Sequence, residues 1–239
     1  MKPYNTAQSK KEEVRTMFDA IAFRYDRLNH LLSMGVDRQW RSKVVRRVKA
    51  SHPSTILDLA TGTGDLAILL ARNCPKAHVT GIDLSEQMLA IGRHKVLQAG
   101  LAERITLEQG DAENLPVTNN SFDAATVAFG VRNFENIEKG LSEIFRALRP
   151  GGAVFVLEFG MPQNKIFGAL YRFYFHRVLP TIGRLISHDK SAYTYLPQSV
   201  EEFPYGKRFC KILSDTGFTQ CRITNLWGGI AQIYYGVKP

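Results

Sequence analysis

Three carboxylates stand at the ends of short apolar runs in this chain. Asp58 lies in Ile56-Leu57-Asp58-Leu59, Asp83 closes Val79-Thr80-Gly81-Ile82-Asp83, and Asp111 follows Arg104 to Gly110. Between the first two lies Ala60-Thr61-Gly62-Thr63-Gly64-Asp65. Gly62 and Gly64 let the backbone turn sharply and approach a ligand with no Cβ in the way. An acid about 20 residues beyond such a turn is placed to hydrogen-bond a ribose diol, which assigns Asp83. Asp111 is then placed to accept from an adenine amino group. Any one of these aspartates alone reads as a cap or turn residue. Their recurrence at successive strand ends describes a crevice for an adenosine-containing ligand.

The nature of that ligand follows from charge. Gly62-x-Gly64-x-x-Ala67 satisfies the loose dinucleotide fingerprint. A pyrophosphate, however, favours free N–H groups and a helix dipole without nearby negative charge, and this turn is flanked by Asp58 and Asp65. Opposite charges attract at short range, so the turn suits a cation. S-adenosylmethionine has no phosphate and carries a sulfonium and an ammonium, and is the expected cofactor.

The elements that position these residues alternate. Leu66 to Arg72 reads as a helix packing back on the first strand, and Ser121 to Phe129 as a further buried strand. Arg149-Pro150-Gly151-Gly152 reads as a helix-ending turn before a strand from Ala153 to Phe159. Alternating β and α implies an α/β fold with a parallel sheet. Cys221 to Ile223 and Ile230 to Val237 alternate like two antiparallel strands closing it, with Gly228-Gly229 in the bend.

Two segments stand outside this pattern and are expected to make the substrate site. Glu12 to Leu32 carries Val14, Met17, Phe18, Ile21 and Tyr25 at helical spacing, interrupted near Phe23 and Arg24, and reads as one or two amphipathic helices over the cofactor. Ile166 to Ile186 holds too many large apolar residues for one buried face, Phe167, Tyr171, Phe173, Tyr174 and Phe175 among them. A helix pair on the sheet and a greasy channel or membrane-facing lid both fit it.

Longer motifs place the chain among known proteins. They are Phe18-x-x-Ile21-Ala22-x-x-Tyr25-Asp26-x-x-Asn29, Arg38-x-Trp40-Arg41, Asp58-x-Ala60-x-Gly62-Thr63-Gly64-Asp65 and Gly81-Ile82-Asp83-x-Ser85-x-x-Met88-Leu89. Further on come Gly110-Asp111-Ala112-Glu113-x-Leu115-Pro116, Phe129-Gly130-Val131-Arg132-Asn133, Leu148-x-Pro150-Gly151-Gly152 and Leu157-Glu158-Phe159. The last is Tyr193-x-Tyr195-Leu196-x-x-Ser199-x-x-x-Phe203-Pro204. Over nearly its whole length the chain resembles the class I methyltransferases and, more closely, the ubiquinone/menaquinone biosynthesis C-methyltransferase family. The glycine loop is shared by many methyltransferases, whereas the Phe-Gly-x-Arg-Asn and Tyr-x-Tyr-Leu segments are particular to that family.

The resemblance implies a Rossmann-like, mostly parallel seven-stranded sheet with helices on both faces, an N-terminal helical cap and an aromatic helical insertion. As one domain over 1–239 it divides into a cap (1–50), a cofactor-binding half (51–160), a substrate-side insertion (161–205) and a C-terminal helix and strands (206–239). The implied activity is methyl transfer from S-adenosylmethionine to a ring carbon of a prenylated quinol in menaquinone or ubiquinone biosynthesis, with demethylmenaquinol the leading substrate. Another small molecule or RNA is the alternative acceptor. Carried over by position, the cofactor contacts are Thr63, Asp83, Asp111 and Ala112, beside Asp58, Gly62 and Gly64. Many relatives have a serine two residues before the glycine of Phe-Gly-x-Arg-Asn, where this chain has Ala128, and the broader class has glycine at the place of Ala60.

Such a reaction asks the enzyme to align donor and acceptor and to favour the phenolate form of the quinol. Arg132 is the first candidate for stabilising that oxyanion, with Asn133 as a positioning donor. A structural ion pair between Arg132 and a helix-borne carboxylate is the other reading. Tyr25, Asp19, His188 and Asp189 stand as possible bases, and the sequence does not choose among them.

Length and composition set the surroundings. A chain of 239 residues in one α/β pattern suits a single domain burying roughly 70 to 75% of its unfolded surface. There is no apolar leader and no run near 18 apolar residues, so a cytoplasmic enzyme is expected. Cys74, Cys210 and Cys221 lack metal-like spacing, and neither a disulfide framework nor a metal site is expected. The net charge of +9 gathers partly in Arg38 to Lys49, around an apolar stripe of Trp40, Val44, Val45 and Val48. This reads as a solvated helix face or as a peripheral contact with an anionic membrane holding the quinol's tail. No nucleic-acid fold is present by motif, so no nucleic-acid partner is expected, and association into a homo-oligomer stays open.

Overall fold

The computed structural model describes residues 1–33, 35–162, 164, 168–169, 171, 177 and 190–239. Its centre is a seven-stranded sheet in the order β3-β2-β1-β4-β5-β7-β6. The strands are β1 Thr55–Leu59, β2 His78–Asp83, β3 Ile105–Gln109, β4 Phe122–Ala128, β5 Leu148–Phe159, β6 Thr219–Leu226 and β7 Ala231–Val237. The first five run parallel, and β7 is antiparallel to both β5 and β6. The strand order reverses between β1 and β4, and an open α/β sheet forms its binding crevice at that switch point, beyond the carboxyl ends of the strands.

Helices α1 Lys10–Leu32, α2 Val36–Ala50, α3 Asp65–Asn73, α4 Glu86–Gln98, α5 Ile137–Ala147, α6 Lys190–Glu202 and α7 Lys207–Asp215 surround the sheet. The apolar stripe of α2 is buried against α3 through Trp40, Val44, Val45 and Val48. On the opposite face α5 and α7 bury Leu141, Ile144, Phe209 and Leu213. Each such fully buried side chain is worth about 1.5–3 kcal/mol. Helix starts follow local chemistry: Ser85 accepts from Met88 N at 3.1 Å to cap α4, and Asn136 accepts from Lys139 N at 2.8 Å to cap α5.

One expectation narrows to a single alternative and another changes. Helix α1 runs unbroken through Phe23 and Arg24, because its apolar residues keep helical spacing on both sides and exposed Phe23 simply falls on the outer face. Strand β5 begins at Leu148 and bulges over residues 149–152, since Leu148 pairs with Phe122 while Ala153 pairs with Ala124. The aromatic stretch 166–186 lies outside the described residues apart from 168, 169, 171 and 177, as do His188 and Asp189.

Candidate active site

The glycine turn sits where the sheet order reverses. Gly62 and Gly64 adopt φ of 56° and 77°, and Gly64 leads directly into α3. Two neighbouring strand ends are held in the same left-handed region without glycine, Ala60 after β1 at 50° and Phe129 after β4 at 59°. Gly130 is what lets them approach: a Cβ there would lie 2.4 Å from the Ala60 Cβ. Alanine at 60 is thus tolerated because its neighbour lacks a side chain.

Above the turn opens a cleft of about 750 Å³, with Gly62, Asp83, Asp111, Ala112 and Asn133 on its walls and Phe18 and Tyr25 of α1 as its cover. A smaller recess of about 370 Å³ adjoins it, with Asp58, Thr63, Asp65 and Arg41. Tyr25, Ala60, Gly62 and Ala128 line both, so the two form one continuous site that bends at the turn. Six of the seven sequence-derived cofactor residues line it, and Gly64 lies outside both lining sets, where it leads into α3.

The chain hydrogen-bonds the carboxylates of both Asp83 and Asp58. Asp83 accepts from Gly62 N at 2.8 Å and from Ser85 N at 2.9 Å. Burial pushes its pKa up against those bonds. Asp58 is buried and accepts from the hydroxyls of Thr126 at 2.6 Å and Thr61 at 2.7 Å. Burial raises it to about 6. Neither has an ion-pair partner among the described residues. Such groups are costly unless a cation joins them, which is the chemistry a sulfonium or an ammonium brings.

Helix α1 crosses the strand ends and is clasped at each. Lys10 Nζ donates to the carbonyls of Arg132 and Phe134, Lys11 Nζ to Asp111 Oδ2 at 2.5 Å, and Asp19 accepts from Ser85 Oγ at 2.5 Å. At its far end Asp26 accepts from Thr63 Oγ1 at 2.6 Å and pairs with Lys95 at 2.9 Å, while Lys95 also pairs with Asp65. Thr63 and Asp111 therefore spend polar groups on α1. The sequence gives no role to Lys11, Asp26 or Lys95. Only Asp26 has a local signal, its place in the Tyr25-Asp26 motif, because the partners lie far away in the chain.

The candidate catalytic residues divide. Asn133 ends a 3₁₀ turn, Val131–Asn133, and stands on the cleft wall. Tyr25 is also in the cleft, and burial pushes its phenol pKa up, against a role as base. Arg132 is absent from the cleft wall. Its Nη1 donates to Glu158 Oε1 at 2.8 Å and to the Phe129 carbonyl at 2.5 Å, and its guanidinium lies 5.4 Å from the Phe159 ring centroid. Glu158 belongs to β5, so the ion pair is strand-borne and not helix-borne as the sequence reading allows. Arg132 faces a separate cavity of about 360 Å³ with Lys10, Tyr195 and Glu202. Arg41 lies 5.6 Å from the Phe129 ring centroid and pairs with Asp37. Asp19 is occupied by α4, as described. Among the described residues no group of three or more His, Cys, Asp or Glu could hold a metal ion.

The fold is that of S-adenosylmethionine-dependent methyltransferases. A solved structure described as a putative O-methyltransferase from Nostoc punctiforme superposes with a TM-score of 0.70 at 18% identity, covering 98% of this chain and 64% of that one. The chain belongs to the ubiE/COQ5 methyltransferase family, whose sequence profile matches residues 6–238. It is 44% identical over 238 residues to the demethylmenaquinone methyltransferase of Bacteroides fragilis, covering 100% of this chain and 97% of that protein. To the ubiquinone/menaquinone biosynthesis C-methyltransferase of Geobacter sulfurreducens it is 46% identical over 230 residues, covering 96% and 90%.

Proposed function

We propose that this chain transfers a methyl group from S-adenosylmethionine to a ring carbon of a prenylated quinol, and that demethylmenaquinol is its substrate. The observation that carries the cofactor is Asp58, a buried carboxylate in the recess with no ion pair among the described residues, in one continuous site with the strand-end acids Asp83 and Asp111. The substrate rests on the whole-chain similarity to quinone-biosynthesis methyltransferases.

In this reading Asp83 holds the ribose diol, Asp111 and Ala112 flank the adenine, and Asp58 with the Gly62 to Gly64 turn and Thr63 takes the cationic amino-acid end. When bound, the cofactor supplies a methyl group already activated on its sulfonium. The chain's own residues then exclude water with Phe18 and Tyr25 and hold the acceptor's phenolic oxygen as an anion through the Asn133 amide. Arg132 acts through position: its bond to the Phe129 carbonyl fixes the turn that carries Asn133.

We read residues 1–239 as one domain with residues 1–50 as its cap. The protein works in the cytoplasm and meets the quinol at an anionic bilayer through exposed Arg38, Arg46 and Lys49 of α2. No helix among the described residues is long and apolar enough to cross a membrane.

The test is transfer of a labelled methyl group to a reduced short-tail demethylmenaquinol, with a reduced benzoquinol and bulk RNA alongside. Label on the naphthoquinol is expected. Label on the benzoquinol alone, or on RNA, sinks the substrate assignment. Flotation with anionic against neutral vesicles tests the membrane contact, and equal indifference to both sinks it.

A further inference from the structure

The two family-particular segments meet at one hydrogen bond. Tyr195 of α6 donates its phenol hydrogen to Asn133 Oδ1 at 3.1 Å, across 62 residues of chain. Tyr195 is 3% exposed and packs with Val14, Met17 and Ile21 of α1, so a hydroxyl buried by one element is aimed at the site by another. Burial pushes its pKa up to about 12, so the phenol keeps the proton that it donates to Oδ1.

An amide has two ends of opposite character, an oxygen that only accepts and a nitrogen that only donates. Its useful end depends on which one the protein has already claimed. Here Tyr195 claims Oδ1. What Asn133 has left to offer the cleft it lines is the Nδ2 donor. An amide turned the other way would present a lone pair to the acceptor's phenolic oxygen and oppose its ionisation.

We propose that Tyr195 is a positioning residue for methyl transfer: its hydroxyl locks the Asn133 amide so that N–H donors, and not a carbonyl oxygen, meet the phenolic oxygen of the acceptor ring. This rests on the reading of Asn133 as the oxyanion donor and adds what orients it. The charged groups around the pair are Arg132 and Lys10, with Glu158 and Glu202, and the test leaves all of them in place.

The experiment compares Tyr195→Phe, Asn133→Asp and the double variant with wild type, using reduced short-tail demethylmenaquinol and following kcat, both KM values and the pH dependence of kcat. Calorimetry with S-adenosylhomocysteine reports the cofactor site separately. In Tyr195→Phe, kcat is expected to fall about ten- to hundredfold, the scale of a misplaced catalytic group, with both KM values and cofactor affinity nearly unchanged. Weaker stabilisation of the phenolate raises its apparent pKa, so the rising limb of kcat moves to higher pH. Asn133→Asp keeps an acceptor for Tyr195 but removes both N–H donors, and should lose at least as much. The double variant should be no worse than Asn133→Asp, because the hydroxyl acts only through the amide.

An unshifted pH limb in Tyr195→Phe overturns the proposal, as does full additivity in the double variant. So does a loss seen equally in cofactor affinity and thermal stability, which marks a purely structural role. Wild type that binds cofactor but labels no quinol overturns the functional reading, and this proposal with it.

Discussion

Asp58 and Glu158 are both buried carboxylates on neighbouring parts of one sheet, yet they live by opposite rules. Glu158 has its cation inside the fold, Arg132 at 2.8 Å. Asp58 has two hydroxyls and a pKa pushed up to about 6. The paired charge is finished and holds the Phe129 to Asn133 segment in place. The unpaired one is unfinished, and the fold tolerates its cost at the spot where a cationic ligand can relieve it. For these two carboxylates, the one without an ion pair lines the binding recess, and the paired one braces the segment beside it.

The sharpest way to break the contrast is to make Glu158 resemble Asp58. Arg132→Met strands a buried carboxylate, and a loss of about 3–5 kcal/mol in unfolding free energy is expected, with turnover abolished. Chemical denaturation checks the first part. Adding Glu158→Leu should restore most of the stability. If turnover returns with it, Arg132 serves only the scaffold; if it stays absent, the guanidinium has a part in placing Asn133.

The converse change makes a strand-end acid neutral. Asp83→Asn keeps one oxygen for either the Gly62 or the Ser85 N–H group, which bond to different carboxylate oxygens, and turns an amide NH2 against the other, so stability should fall by about 1–3 kcal/mol. Cofactor affinity should fall by about 1.5–3 kcal/mol, the worth of hydrogen bonds to a charged group. Unchanged affinity by calorimetry would count against the ribose assignment.

Protonation does the same to Asp58 without mutation. Its raised pKa means the folded state binds the proton more readily than the unfolded chain. Its contribution to stability therefore declines as pH rises from 3.8 to about 6 and is flat above. Cofactor affinity runs the other way, because only the carboxylate attracts the cation. Between pH 7 and pH 5 it should weaken by up to about tenfold, and Asp58→Asn should flatten that dependence. The smallest effect belongs to Lys95→Met, which removes half-exposed pairs holding the far end of α1. A loss of at most about 1 kcal/mol in thermal unfolding is expected.

The unfinished charges are legible in the sequence because they follow local rules. Asp58, Gly62, Gly64 and Asp83 belong to a strand, turn, helix and strand that are consecutive in the chain, and the spacing alone assembles them. The finished charges are not legible. Arg132 and Glu158 stand 26 residues apart, and Tyr195 and Asn133 stand 62 apart. Arg132, Asn133 and Tyr195 fall inside the two segments particular to the family and Glu158 inside Leu157-Glu158-Phe159, but a motif does not say which of its members touch. Position after a strand end does not show that the Arg132 side chain turns toward β5, where it pairs with Glu158. The clasps of α1 escape for the same reason, since helical periodicity reports its apolar face and is silent on where its charged residues land.

The contact between residues 60 and 130 also limits how this sequence can drift. With 2.4 Å between a new Cβ at 130 and the one already at Ala60, alanine at 130 is closed to any descendant that keeps alanine at 60. A lineage must first pass through glycine at 60, which relaxes a strained backbone and empties the space, and only then can 130 acquire a side chain. Once it does, the road back is shut until 130 reverts. Two positions 70 residues apart thus form a turnstile that sets the order in which substitutions are admitted.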